Sequence, residues 1–181
     1  MKEISLHALD IAQNSVAAGA AHLDLRLEED GSGVLTLTVI DDGRGMSPEL
    51  LARVTDPFAT TRTTRKMGLG IPLLRLSAEQ TGGSVSIEST EGVGTTVRAV
   101  FRTDHIDCPP VGDMGSTISL LVQGSPQMEL RYTRRTPRGT FILDTRELRA
   151  QLGPDVPLTE PEVALWLRDY VREQEQEISQ K

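Results

Sequence analysis

Apolar residues recur along this chain with two different periods, and turn residues separate the segments that carry them. Leu6, Leu9, Ala12 and Val16 stand at helical spacing, which predicts a helix over residues 3 to 18 that Gly19 ends. Leu23, Leu25 and Leu27 alternate with Asp24, Arg26 and Glu28, and Leu35, Leu37 and Val39 alternate again beyond Gly31-Ser32-Gly33, which predicts a hairpin. Ser47-Pro48-Glu49 combines an N-cap, a proline at the first helical position and an early acid. The helix it starts should stop before Asp56-Pro57, because proline disfavours helical backbone in the residue ahead of it. Residues 59 to 68 are polar, threonine-rich and basic, without periodicity, and read as a mobile loop. A helix from about Ile71 to Gln80 closes at Gly82-Gly83. Two strands follow, one through Val85 and Ile87 and one through Val97, Ala99 and Phe101, with Glu91-Gly92-Val93-Gly94 as their turn.

The pattern changes near residues 104 to 113, where Cys108-Pro109-Pro110 stiffens the chain, so a first domain over residues 1–103 and an extension over 104–181 are expected. In the extension the pattern predicts a helix around 113 to 123 and a hairpin from Met128–Arg134 to Thr140–Leu143 across Thr136-Pro137-Arg138-Gly139. A last helix should start at Thr159, with Glu162 completing a capping box and Val163, Trp166, Leu167, Tyr170 and Val171 as its apolar stripe. That stripe could pack on its own chain or join two copies, and intramolecular packing is the preferred reading.

Composition narrows the class. With 38% hydrophobic and 25% charged residues the chain reads as globular rather than disordered. A net charge of -7 argues against a general nucleic-acid or anionic-membrane binder, so a site for an anionic ligand must be built locally. The single cysteine, Cys108, allows neither an intramolecular disulfide nor a cysteine-based metal centre. Met1 to Ser5 lack the basic stretch and apolar run of a signal peptide, and no run of eighteen apolar residues occurs. A cytoplasmic protein with no membrane span is therefore expected.

Three segments carry chemistry. Asp10 and Asn14 are four apart on the first helix and share a face. An amide oxygen from Asn14 joined by phosphate oxygens would suit Mg2+, and the Asp10 carboxylate is a candidate base. His7 near that face reads as a structural hydrogen-bond partner. Asp41 ends a strand ahead of Gly43 and Gly45, where a carboxylate can accept a bond from an exocyclic amine such as that of adenine. The glycines would let the backbone approach a flat ring. Gly68 and Gly70 precede a helix whose free N–H groups attract phosphate, with Arg62, Arg65 and Lys66 just upstream. The Walker-type P-loop pattern is absent. Thr95, at the start of a strand, could support Asp41 directly or through water.

In this order the segments resemble the GHKL superfamily, the ATP-binding domains of gyrase-type, chaperone-type, histidine-kinase and mismatch-repair proteins. Asp10-Ile11-Ala12-Gln13-Asn14-Ser15 is similar to the N-box and Asp41-Asp42-Gly43-Arg44-Gly45-Met46 to the adenine-reading glycine box. Asp56-Pro57-Phe58-Ala59-Thr60-Thr61 resembles the phenylalanine box of sensor kinases. Gly68-Leu69-Gly70-Ile71-Pro72-Leu73 resembles the second glycine box, and Gly92-Val93-Gly94-Thr95-Thr96 the last glycine-threonine motif. The resemblance covers roughly residues 1 to 103. It implies an α+β, two-layer α/β sandwich of the Bergerat type with a small α+β C-terminal extension. It also implies Asn14 on magnesium, Asp41 on the adenine amine, and Met46, Phe58, Thr61, Arg62, Lys66, Leu69 and Thr95 beside Gly43, Gly45, Gly68 and Gly70 around ATP. Asp10 stands where gyrase-like members and serine-kinase anti-sigma factors carry a catalytic glutamate, and its side chain is one methylene shorter.

The phenylalanine box and short lid point to the histidine-kinase branch. Only nine residues precede Asp10, so the dimerising helical hairpin that bears the phosphoacceptor histidine is not expected ahead of it. The favoured function is an ATP-dependent kinase module acting in trans on a histidine or serine of a partner protein. The alternatives are a gyrase- or mismatch-repair-like conformational ATPase and a non-catalytic, nucleotide-gated binding module. Arg131, Arg134, Arg135 and Arg138 could line a nucleic-acid groove, although a solvated hairpin is the preferred reading. Removing residues 105 to 181 is expected to leave nucleotide affinity within about tenfold of the full chain's.

Overall fold

A computed structural model describes residues 3–56 and 69–179 of the chain. The expected loop over 59 to 68 lies outside the described residues.

Twelve elements occur among the described residues. Helix α1 (Ile4–Ala17) buries Ile4, Ala8, Ile11 and Ala12 along one side. Strands β1 (His22–Glu29) and β2 (Val34–Asp41) form the predicted hairpin, with Leu25 opposite Val39 and Leu27 opposite Leu37. The Asp30 carboxylate organises its turn by accepting bonds from the Ser32 and Val34 amides. Helix α2 (Pro48–Thr55) starts as expected: Pro48 is its first residue, and the Ser47 hydroxyl accepts from the Leu50 amide at 3.2 Å. It stops before Pro57. Helix α3 (Gly70–Gln80) leads into β3 (Ser84–Thr90) and β4 (Gly94–Arg102).

The C-terminal half supplies α4 (Met114–Gly124), β5 (Glu129–Thr136), β6 (Gly139–Asp144), α5 (Thr145–Leu152) and α6 (Pro161–Ser179). Asp113 caps α4 through the Ser116 amide. Helix α6 begins at Pro161, later than the capping-box reading, because the Glu160 carbonyl, not that of Thr159, is the first acceptor of the helical ladder, from the Ala164 amide. Helix α5 was not foreseen. Its mostly polar face hides the period, yet Asp144 at the cap and Glu147 three residues on are a start signal.

The strands form one sheet in the order β3-β4-β2-β1-β5-β6. Every neighbouring pair is antiparallel except β1 and β5, which run parallel with Leu25 opposite Tyr132. The chain passes from β4 to β5 through α4, which carries it past β2 and β1 so that β5 can pair parallel with β1. One face of the sheet presents Leu23, Leu25, Leu27, Leu37, Val39, Phe101, Leu130 and Tyr132 to the helices, and these belong to a single buried cluster with α1, α3, α4 and α6. The architecture is the expected two-layer α/β sandwich. The sheet and its core continue past residue 104, because β5 adds to β1 and the Thr117 hydroxyl of α4 donates to the Ser5 carbonyl of α1.

Two surface features also resolve. Arg134 points into the core, 4% exposed, and donates to the Leu27 carbonyl and to Glu29, whereas Arg131 and Arg135 lie on the exposed opposite face. The arginines of this hairpin therefore do not line one groove. In α6, Leu167 and Val171 fill the core, while Trp166 stacks on Tyr170 at 4.9 Å and stays 47% exposed.

Candidate functional site

Helix α1, the end of β2, the segment into α2, the start of α3 and β4 enclose a cavity of about 110 Å³. Its walls include Ile11, Met46, Ile71 and Val97, and Asn14, Ser15, Asp41 and Thr95 supply polar atoms. That is smaller than the ~300–1,000 Å³ usual for a whole ligand, and it suits one flat ring with the remainder lying outside.

Asp41 is the last residue of β2, opposite Leu23 on one side and Thr95 on the other. Its Oδ1 accepts from the Gly43 amide at 2.9 Å, and its Oδ2 accepts from the Ser15 hydroxyl at 2.5 Å. These bonds aim the carboxylate and leave lone pairs for a further donor. Ser15, on α1, is buried; it falls inside the N-box, and only the folded proximity of α1 and β2 gives it this task.

The glycines of the box are required by packing. Gly45 has φ +65°, and a Cβ there would come within 2.0 Å of the Thr90 carbonyl oxygen. At Gly43 a Cβ would lie 2.9 Å from that of Ala18. The loop is thereby pressed between the turn after α1 and the end of β3. Met46 is held by its amide, which donates to the Ser89 hydroxyl at 2.8 Å. The Thr95 hydroxyl meets the same Ser89 hydroxyl at 2.9 Å, so Thr95 borders the cavity but its bond goes to Ser89 and not directly to Asp41. Ser89 escaped the sequence reading; its inward position opposite Thr95 appears only in the β3–β4 register. Arg44, between the two glycines, also lines the cavity.

Asp10 and Asn14 lie on one side of α1, as their spacing requires. The start of α3 packs there, since a Cβ on Gly70 would approach that of Asp10 to 3.1 Å. The first turn of α3 has no side-chain cap, and the preceding Leu69 is 69% exposed. Free amides at such a terminus attract phosphate oxygens. Phe58, Thr61, Arg62, Lys66 and Gly68 lie outside the described residues.

Asp42 turns away from the cavity. Its Oδ1 accepts from the Ala21 and His22 amides, each at 2.8 Å, and its Oδ2 meets His22 Nδ1 at 2.6 Å. Partial burial pushes the Asp42 carboxyl upward, but the bonds from the His22 backbone and ring outweigh it and hold the group below its ordinary range. The bond to Asp42 raises the His22 imidazole above its ordinary value against desolvation, with Glu129 adding to the rise and Arg146 opposing it.

Among the described residues no helix is long and apolar enough to cross a membrane, and no group of three or more His, Cys, Asp or Glu side chains is arranged to hold a metal ion. Magnesium held by one amide oxygen and phosphate oxygens requires no such group, and Asn14 fits that donor set.

A family model described as "Histidine kinase-, DNA gyrase B-, and HSP90-like ATPase" matches residues 1–105. The histidine protein kinase DivJ of Caulobacter vibrioides is 44% identical over 69 residues, which cover 36% of this chain and 12% of that protein. The sensor histidine kinase ZraS of Escherichia coli is 31% identical over 90 residues, covering 49% of this chain and 19% of that one. The chain thus spans less than a fifth of either relative. Among solved structures, the N-terminal domain of a DNA repair protein superposes with a TM-score of 0.55 at 13% identity, covering 80% of this chain and 53% of that one. This likeness is one of fold, and at 80% coverage it reaches beyond the 105 residues of the family match.

Proposed function

Because the chain belongs to the histidine kinase-, DNA gyrase B- and HSP90-like ATPases, we propose that it binds ATP with magnesium and serves as a kinase module whose phosphoacceptor is a side chain of a partner protein. The observation that carries this reading is the Asp41 carboxylate, fixed by Ser15 and Gly43 beside an apolar slot. An adenine fits there by burying its faces against Ile11, Met46, Ile71 and Val97 while its amine donates to Asp41.

From that slot the phosphates would run toward Asn14 and the uncapped first turn of α3. Asn14 would hold magnesium, which when bound supplies charge neutralisation on the phosphates. In the transfer a nucleophilic atom of the partner bonds to the γ-phosphorus as the bond to the β-phosphate oxygen breaks, and ADP leaves. A neutral imidazole needs no base for this step. A serine or water does, and Asp10, one turn from Asn14, would be the group to accept that proton. A second reading, a conformational ATPase, draws support from the packing of β5 and α4 directly on β1 and α1.

The test is calorimetric titration of ATP and magnesium into the wild type and Asp41→Asn, followed by assays of hydrolysis and of labelled phosphate on protein. Binding that the substitution weakens, together with phosphate on protein, supports the kinase reading. Hydrolysis alone supports the conformational ATPase, and binding without turnover supports a nucleotide-gated module.

A further inference from the structure

His22 lies between two carboxylates on the outer side of the Asp41–Gly45 loop. Its Nδ1 is 2.6 Å from Asp42 Oδ2 and its Nε2 is 2.9 Å from Glu129 Oε2. The Asp42 contact is a hydrogen bond, and the Glu129 contact is an ion pair that attracts only a protonated ring. A neutral imidazole can keep the bond to Asp42 through its Nδ1–H but loses the attraction to Glu129.

The three residues come from different parts of the fold. Asp42 follows the adenine-facing Asp41, His22 opens β1, and Glu129 opens β5 in the C-terminal half. The backbone reinforces the line: Asp42 accepts from the Ala21 and His22 amides, and the Glu129 amide donates to the Ala21 carbonyl at 2.8 Å. Other charges face the same spot. Arg146 of α5 lies 3.8 Å from Glu129 and is itself paired with Asp144 at the end of β6, while Asp24 of β1 and Arg131 of β5 border the same surface depression.

We propose that His22 is a positioning residue whose imidazolium, hydrogen-bonded to Asp42 and ion-paired with Glu129, clamps the glycine-box loop to the C-terminal strand β5, so that nucleotide affinity falls as His22 loses its proton. The inference rests on the nucleotide reading of the Asp41 site. Its physical content is that Asp41 and Asp42 are pinned on opposite sides of the sheet end. The inner pins are Ser15 and Gly43. The outer pin contains one titratable member at near-neutral pH, and with that member neutral the ion pair that ties Glu129 to the loop is lost, while Asp42 keeps only its bonds within the loop and the start of β1. Aim of the Asp41 carboxylate then depends on a group that never touches the ligand. It also gives the C-terminal half a direct line to the site through Glu129.

The probe is ADP with magnesium, titrated into the full chain at a series of pH values from about 5.5 to about 9, the range in which a histidine near carboxylates titrates. The wild type, His22→Gln and Glu129→Gln are compared, and NMR of the His22 ring protons follows its titration directly. The wild-type dissociation constant is expected to rise about fivefold across the His22 titration, the scale of a modest coupling between sites. His22→Gln should show no such step, and subtracting its profile removes the titration of the phosphates of ADP. Glu129→Gln, which keeps the fold but removes one carboxylate, should move both the step and the NMR titration to lower pH. ADP binding with the same pH profile in wild type and His22→Gln would overturn the clamp while leaving the nucleotide site standing. A Glu129→Gln step that stays in place would overturn it as well. Absence of ADP binding at every pH would sink the nucleotide reading, and the clamp with it.

Discussion

Replacing Asp41 by asparagine separates recognition from folding, and the local geometry says why. Asparagine keeps one oxygen and gains an NH2 group. Its oxygen can keep the 2.9 Å bond from the Gly43 amide, and its NH2 then faces the Ser15 hydroxyl, which has lone pairs and can reverse its role from donor to acceptor. Both native partners stay satisfied, so the change in unfolding free energy should stay below about 1 kcal/mol. Binding behaves differently. An incoming amine meets an NH2 donor and loses a bond to a charged acceptor, worth ~1.5–3 kcal/mol. The dissociation constant should therefore rise about tenfold to a hundredfold, at 1.4 kcal/mol per decade. Asp41→Ala is the contrasting control, because it strands the Gly43 amide and the Ser15 hydroxyl and should destabilise by about 1–3 kcal/mol for each group left unpaired. Calorimetric titration of ADP with magnesium and urea melts of the three proteins read both quantities. An asparagine variant that melts like wild type and binds like wild type would refute the assignment of Asp41 as the amine acceptor.

Gly45→Ala should destabilise by at least ~1–2 kcal/mol from the left-handed backbone alone, and by more because its Cβ would overlap the Thr90 carbonyl; an unchanged urea midpoint would contradict this. Ending the chain at residue 104 removes β5 from β1 and α4 from α1, together with the Pro110 and Val111 carbonyls that anchor the Ile4 and Ser5 amides. The shortened chain should therefore lose its cooperative melt and its nucleotide affinity, the reverse of the dispensability the sequence suggests, and a truncation that folds and binds normally would show otherwise. Arg172 holds the Asp113 carboxyl well below the usual range, helped by Ser116 against partial desolvation. The folded value is depressed, so this stabilisation is present above the unfolded value of about 4 and is lost as pH falls toward the folded one. Asp113→Asn should lower stability at neutral pH and flatten the acid limb of the stability profile, and an unaltered acid limb would count against the pairing. For His22 the sign is opposite: its raised value makes its contribution complete at acid pH and lost as pH rises through the folded value.

Much of the architecture was legible because its signals are local. Alternation in β1 and β2, Ser47-Pro48 at the start of α2 and Gly82-Gly83 after α3 each act within a few residues, where period and turn chemistry operate. The order of the glycine boxes pointed to the nucleotide-binding family for the same reason, since a loop that must press on the Thr90 carbonyl admits no side chain wherever it occurs. What escaped is pairing at a distance. Nothing in residues 129 to 136 says that they lie parallel to β1, and that choice joins the C-terminal half to the sheet that carries Asp41. The partners of the site share this character: Ser15 reaches Asp41 across 26 residues, Ser89 sits under Met46 across 43, and His22 bridges Asp42 and Glu129. Arg134 likewise faces inward only because strand register turns its side of β5 to the core, where the Leu27 carbonyl and Glu29 can receive it. The sequence by itself determined the elements, because backbone propensity is set by near neighbours. Which polar groups meet was decided by the tertiary structure, because a buried donor needs an acceptor nearby in space, however far away it lies in the chain.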